Sequence, residues 1–146
     1  MEKIYFTLED ANALLPYLKE TMLELQAIKK EIVEIVQNLE EQGSNFEELF
    51  SRTDLTESEK QFRGKLEELG DQINSFTFDI QEKGPVVKDI EQGLADFYTK
   101  IEDKDAFLCW QLGEQEIQYW HGIQDGFPGR QSLFTREILE DVTKVH

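Results

Sequence analysis

Apolar residues spaced by three and four positions run through the first half of this chain and stop at Lys83-Gly84-Pro85. In the first run Leu14, Leu18, Met22, Leu25, Ile28, Ile32, Ile35 and Leu39 follow at steps of 4, 4, 3, 3, 4, 3 and 4. In the second, Phe62, Leu66, Leu69, Ile73, Phe76 and Ile80 step by 4, 3, 4, 3 and 4. This spacing keeps one apolar stripe on a helix, and the second run has the a/d pattern of a coiled-coil seam. Two such helices joined by about a dozen residues most simply fold back as an antiparallel hairpin.

Local signals set the ends. Thr7-Leu8-Glu9-Asp10 has the form of a capping box and starts a helix at Leu8 that runs to near Gly43, about 50 Å at 1.5 Å per residue. Pro16 removes the bond to the Asn12 carbonyl, so a kink is expected in the first turns. Residues 43–55 read as a connection, and Thr56-Glu57-Ser58-Glu59 is a second capping box. Gly64 and Gly70 each weaken the second helix by up to about 1 kcal/mol relative to Ala, so it must lean on its partner. Gly84 can take the left-handed cap and Pro85 cannot continue the helix.

Beyond Pro85 the period shortens. Residues 86–90, 94–98 and 106–112 read as a three-stranded antiparallel meander, with Leu108, Trp110 and Leu112 on one face and Phe107, Cys109 and Gln111 on the other. Trp110 is expected to pack on the hairpin. Residues 114–122 read as a short helix, 125–130 as a glycine-rich loop, and 136–145 as a last helix carrying Ile138, Leu139, Val142 and Val145. The fold class is α+β: a long antiparallel helical hairpin packed with a small antiparallel sheet and a C-terminal aromatic-rich segment. At 146 residues, with roughly 68% of the unfolded surface available for burial, one domain is expected over 1–146. Its parts are the hairpin at 7–84, the sheet and aromatic segment at 85–134, and the C-terminal helix at 135–146.

Charge narrows the function classes. The net charge is −16, and residues 1–84 hold 19 acids against 9 bases, whereas 106–134 hold only Glu114, Glu116, Asp125 and Arg130. An acidic surface repels phosphate backbones and anionic lipid, which argues against nucleic-acid and membrane partners. The first residues lack the apolar core of a signal peptide, and no run of about 18 apolar residues occurs. One cysteine cannot form an internal disulfide. A cytoplasmic protein is expected.

The residues able to do chemistry gather late. Positions 97–134 hold 8 of the 16 aromatics, both tryptophans, the sole cysteine and one of the two histidines. His121 suits proton transfer or metal ligation, and equally a buried hydrogen-bonded role. On a helix, Glu114 and His121 would lie about 10 Å apart by rise, too far to share one ion without other ligands. Cys109 with His121 as its base would make a nucleophile, although a mid-strand cysteine is ordinarily a small buried hydrophobe. Asp89 and Asp96, on neighbouring strands, could face each other across a divalent ion or as an acid and base; loop capping accounts for them as easily. Arg130, in Gly126-Phe127-Pro128-Gly129-Arg130, could hold an anion, and pairing with Asp125 or Glu114 is the ordinary alternative.

The chain resembles a prokaryotic family, the domain of unknown function numbered 2203. The resemblance is carried by Phe6-Thr7-Leu8-Glu9-Asp10-Ala11-Asn12-Ala13-Leu14-Leu15-Pro16, by Val87-Lys88-Asp89 and Gly93-Leu94-Ala95-Asp96-Phe97, and by Leu108-Cys109-Trp110, Gly113-Glu114, Trp120-His121, Gly126-Phe127 and Gly129-Arg130. Ala95 departs from the bulkier apolar residue expected there. The resemblance implies a shared fold and supplies no catalytic residue or cofactor.

Two functions follow. The first is a non-catalytic interaction or assembly module whose hairpin binds a second copy or another protein. The second is a small metal-dependent or hydrolytic enzyme using Asp96, Glu114, His121 and Arg130 around a pocket under Trp110 and Trp120. For catalysis the candidates are His121, Glu114, Cys109 and Arg130; for a metal, Asp89, Asp96, Glu114 and His121.

Overall fold

A computed structural model describes residues 2–144. Helices α1 (Leu8–Ala13), α2 (Leu15–Glu41), α3 (Phe46–Ser51) and α4 (Glu57–Lys83) precede strands β1 (Val86–Asp89), β2 (Leu94–Ile101), β3 (Lys104–Gln111), β4 (Tyr119–Gly122) and β5 (Gln131–Ser132). The last helix, α5, spans Arg136–Val142, and Val145, assigned above to this helix, lies outside the described residues. The strands form one antiparallel sheet in the order β1-β2-β3-β4-β5. The architecture is α+β, as the change of period at Pro85 implies.

The hairpin is α2 against α4, 27 residues each, and several details differ from the sequence reading. The first helix does not merely kink: it breaks at Leu14, and Pro16 falls in the first turn of α2, where its missing N–H has no helical partner to lose. The connection at 43–55 contains α3, whose first N–H groups are capped by the Asn45 side chain. The meander has five strands instead of three. Finally, 114–122 is not a helix but a turn leading into β4, where Tyr119, Trp120 and His121 pair with Cys109, Leu108 and Phe107. Consecutive aromatics suit a pleated, half-buried surface, and partners on β3 override the weak helical pattern.

The polar stretch read as separating two strands is itself mostly strand. Strands β2 and β3 pair through Ile101↔Lys104, leaving only Glu102 and Asp103 in the turn, at φ 52° and 62°. Tight two-residue hairpins demand such positive values.

Thr7 and Thr56 both start helices, and the reciprocal capping box forms at Thr56. At Thr56 the bonds are reciprocal, Glu59 N–H to the Thr56 hydroxyl and Thr56 N–H to the Glu59 carboxylate, both at 3.1 Å. At Thr7 the hydroxyl accepts from Asp10 N–H. Helix α4 ends on Gly84 at φ 112°, where a Cβ would stand 2.7 Å from the Phe6 ring.

Two apolar clusters hold the molecule. The base of the hairpin (Leu18, Met22, Leu25 and Ile80) packs on the inner face of the sheet through Phe97, Leu108 and Trp110, and Val142 of α5 joins this core. The tip has its own cluster of Leu39, Leu49, Leu55 and Leu66. The N-terminal segment is tied in by Phe6 N–H donating to the Tyr98 carbonyl at 2.7 Å. Nearby, the Asp105 carboxylate accepts from Lys100 (2.7 Å), Lys3 (2.9 Å) and the Tyr5 hydroxyl (2.9 Å).

Glycines in different settings should respond oppositely to Ala. Gly84→Ala meets both a left-handed backbone and the Phe6 ring and should cost about 1–3 kcal/mol. Gly64→Ala, mid-helix with open space around its Cβ, should gain up to about 1 kcal/mol. At roughly 2–4 °C per kcal/mol, thermal unfolding resolves both signs.

The Asp105 cluster should be pH-dependent. Lys100 and then Lys3 hold its carboxyl far below the usual carboxylate range. An acid depressed in the folded state stabilises above its unfolded pKa, about 3.9, and that contribution is lost as pH falls toward the folded value. The melting difference between parent and Asp105→Asn should therefore be full at pH 7 and shrink below about pH 4.

Candidate functional site

Strand register decides which chemical groups meet. Asp96 on β2 pairs with Cys109 on β3, and His121 on β4 pairs with Phe107, two residues before Cys109. Alternation then puts Asp96, Cys109 and His121 on one face, the outer one, while Trp110 and Trp120 turn inward to the helical core. No pocket under the tryptophans can therefore include His121.

The three outer-face groups touch. His121 Nε2 lies 3.0 Å from Asp96 Oδ2, and one ligand-type atom from each of Asp96, Cys109 and His121 lies within 4.8 Å of the others. All three are buried, at 2%, 1% and 2% exposure for Asp96, Cys109 and His121. The His121 ring is edged by Phe107, with centroids 5.4 Å apart, and Lys88 Nζ stands 4.6 Å from the centre of the Phe107 ring.

Proton placement follows from the acceptors. His121 Nδ1 lies 2.8 Å from the Gly122 carbonyl, which can only accept, so Nδ1 carries a hydrogen. Nε2 and Asp96 Oδ2 can then bond only if one proton lies between them, as imidazolium and carboxylate or as imidazole and carboxylic acid. Either way the pair is neutral overall, which is how two ionisable groups tolerate burial. Burial pushes the Asp96 carboxyl upward, opposed by His121 and the Cys109 thiol. Burial, with Asp96 adding to it, pushes that thiol up to about 12. Cys109 is thus held as a thiol, a poor state for a nucleophile.

Arg130 and Glu114 form a second unit beside the first. Arg130 donates to Glu114 Oε1 at 2.6 Å and to the Cys109 carbonyl at 3.3 Å, and its guanidinium stacks 4.1 Å from the Tyr119 ring centre and 4.8 Å from that of Phe127. Glu114 Oε1 also accepts from Gln111 N–H at 2.7 Å, and the Glu114 carbonyl accepts from Trp110 Nε1 at 2.8 Å. Asp125, the other partner considered for Arg130, instead accepts from Gly122 N–H at 3.2 Å. It lies so close to Gly122 and Gly129 that a Cβ on either would come within 2.6 Å of it. Glu114 is therefore a clamp on the end of β3, engaged with Arg130.

Asp89 stays apart. Its register partner is Leu94, not Asp96, and its carboxylate caps the β1–β2 turn by accepting from Gln92 N–H at 3.0 Å. The grouping of Asp96, Cys109 and His121 was hidden by reading 114–122 as helical. The signal that could have found it is the aromatic pair Tyr119-Trp120, which favours a strand and sets the alternation. A groove of about 850 Å³ does exist, but it lies along β1, lined by Lys3, Lys29, Gln81, Val86, Lys88 and Tyr98.

A buried thiol raised to about 12 should resist modification. At pH 8 the native protein should react with a disulfide-exchange reagent far more slowly than the same protein in denaturant, which should give one thiol per chain. Rapid labelling of the folded protein would contradict the burial of Cys109.

Among the described residues no helix is long and apolar enough to cross a membrane. No curated protein and no solved structure matches the chain. The family model described as an uncharacterized conserved protein, DUF2203, matches residues 4–133, and the chain belongs to that family.

Proposed function

We propose that this protein is a non-catalytic interaction module whose hairpin tip receives an amphipathic helix with a basic polar face. The observation that carries this reading is the apolar groove at the tip, about 450 Å³, lined by Ile32, Val36 and Phe46 with Glu40, Asn45 and Glu47 at its rim. Phe46 and Phe50, their rings 5.1 Å apart, are each 43% exposed, and Val33 is exposed as well. The cluster beneath them already closes the hairpin, so these side chains are surplus to the tip's own core.

Charge selects the occupant. Residues 31–60 carry nine acids and two bases, so two copies of this tip repel each other while a basic helix is attracted. Apolar anchors in a groove and lysines or arginines against Glu40 and Glu47 form a helix-in-groove arrangement. The hydrolytic alternative is less favoured, because Asp96, Cys109 and His121 are buried and none of them lines either groove.

A labelled synthetic helix with a leucine face and a lysine/arginine face tests the reading by fluorescence anisotropy, with a shuffled peptide of the same composition as control. The amphipathic peptide should bind more tightly than the shuffled one, and Phe46→Asp should weaken it at least about tenfold, or about 1.4 kcal/mol, without lowering the melting temperature. Equal binding of both peptides, or no effect of Phe46→Asp, would overturn it. So would sedimentation showing a dimer abolished by Phe46→Asp, which would make a second copy the occupant.

A further inference from the structure

We propose that Asp96, Cys109 and His121 are three ligands of a buried divalent metal site of the zinc class, built across strands β2, β3 and β4. The site is independent of the hairpin tip.

Three features of the outer face point to it. The donor set is one imidazole, one thiol and one carboxyl, the nitrogen, sulfur and oxygen donors that zinc takes. The donors converge: their atoms lie within 4.8 Å of one another, with the Asp96–His121 contact at 3.0 Å. Ligand distances of about 2.0–2.3 Å put tetrahedral neighbours about 3.3–3.8 Å apart, so an ion needs one contact to open and the others to close by no more than about an ångström. The imidazole is also oriented for the purpose. With Nδ1–H donated to the Gly122 carbonyl, the nitrogen facing the other two ligands is Nε2, the arrangement in which metal-bound histidines are commonly fixed.

Charge and protons balance. Without metal, the cluster holds the proton shared by Asp96 and His121 and the thiol proton of Cys109, and is neutral. A divalent ion displaces both, leaving carboxylate, thiolate and neutral imidazole around a +2 charge, again neutral and again suited to burial. The fourth position of a tetrahedral ion is left for water. Because the ligands come from three adjacent strands and are closed off in the fold, the ion is acquired as the sheet assembles.

The test uses the untagged full chain, purified from zinc-supplemented growth, dialysed and assayed for elements. About one zinc per chain is expected, with a melting temperature that is lower after unfolding and refolding in chelator and recovers when the chain is refolded with zinc. Replacement by cobalt(II) should give visible bands of tetrahedral intensity and a near-ultraviolet thiolate-to-cobalt charge-transfer band. Since the chain has a single cysteine, that band in the parent protein identifies Cys109 as a ligand even if variants fold poorly. In Cys109→Ser it should vanish, and His121→Ala should lower cobalt affinity by at least tenfold. Absence of stoichiometric metal together with no thermal response to zinc would overturn the proposal. So would cobalt binding that lacks the charge-transfer band.

Discussion

The sheet is covered by the base of the helical hairpin over only part of the hairpin's length, and the rest of the structure follows from that mismatch. Leu18, Met22, Leu25 and Ile80 find Phe97, Leu108 and Trp110, but the stripe continues past them to Leu39 and Leu66. A helix of 27 residues is about 40 Å long, whereas the eight residues of β2 or β3 reach less than 30 Å. The outer half of the hairpin must therefore bury its own stripe. Helix α3 and Leu55 supply the missing apolar surface, folding the connection back over the tip.

The opposite face of the sheet solves a different problem. Phe107, Cys109 and His121 are nearly inaccessible there, although none of them belongs to the helical core cluster. Closure comes from side chains instead: Lys88 over Phe107, Tyr98 against Phe107 at 4.5 Å, and Arg130 stacked between Tyr119 and Phe127. Long side chains with apolar stems or flat cations shield a surface while keeping charge near solvent or near Glu114. Polar groups under such a cover need partners, and the pairing of Asp96 with His121 supplies them without net charge.

Much of this was legible in the sequence, and the exceptions have physical causes. The stripes placed α2 and α4, Thr56 and Gly84 marked the ends of α4, and alternation separated Trp110 from Cys109 on β3. Helix α3 was missed because six residues between two long helices carry little periodicity of their own; only Asn45 ahead of Phe46-Glu47-Glu48 hints at a cap. Strand β4 was missed because its four residues depend on partners on β3, and partners are not local information. That misreading hid the strand register that sets His121 against Asp96 and beside Cys109. For Arg130 the sequence offers Asp125 or Glu114 as partner, and only the folded register of β3 and β4 selects Glu114.

The strand order has a further consequence, for how the chain assembles. Each strand pairs with its neighbour in sequence, so the sheet itself is made of short-range closures. Topologies of this kind fold quickly, because little loop entropy is lost before contacts form. The closures that span the most chain belong to the N-terminal segment: Lys3 and Tyr5 to Asp105, Phe6 N–H to the Tyr98 carbonyl, and the Asn12 side chain accepting from Ile117 N–H at 2.9 Å across 105 residues. These bonds close only when the N-terminal segment and α1 settle against the finished sheet. Docking is thus the step with the largest loop to close, and protection of the Ile117 amide from hydrogen exchange reports when it is complete.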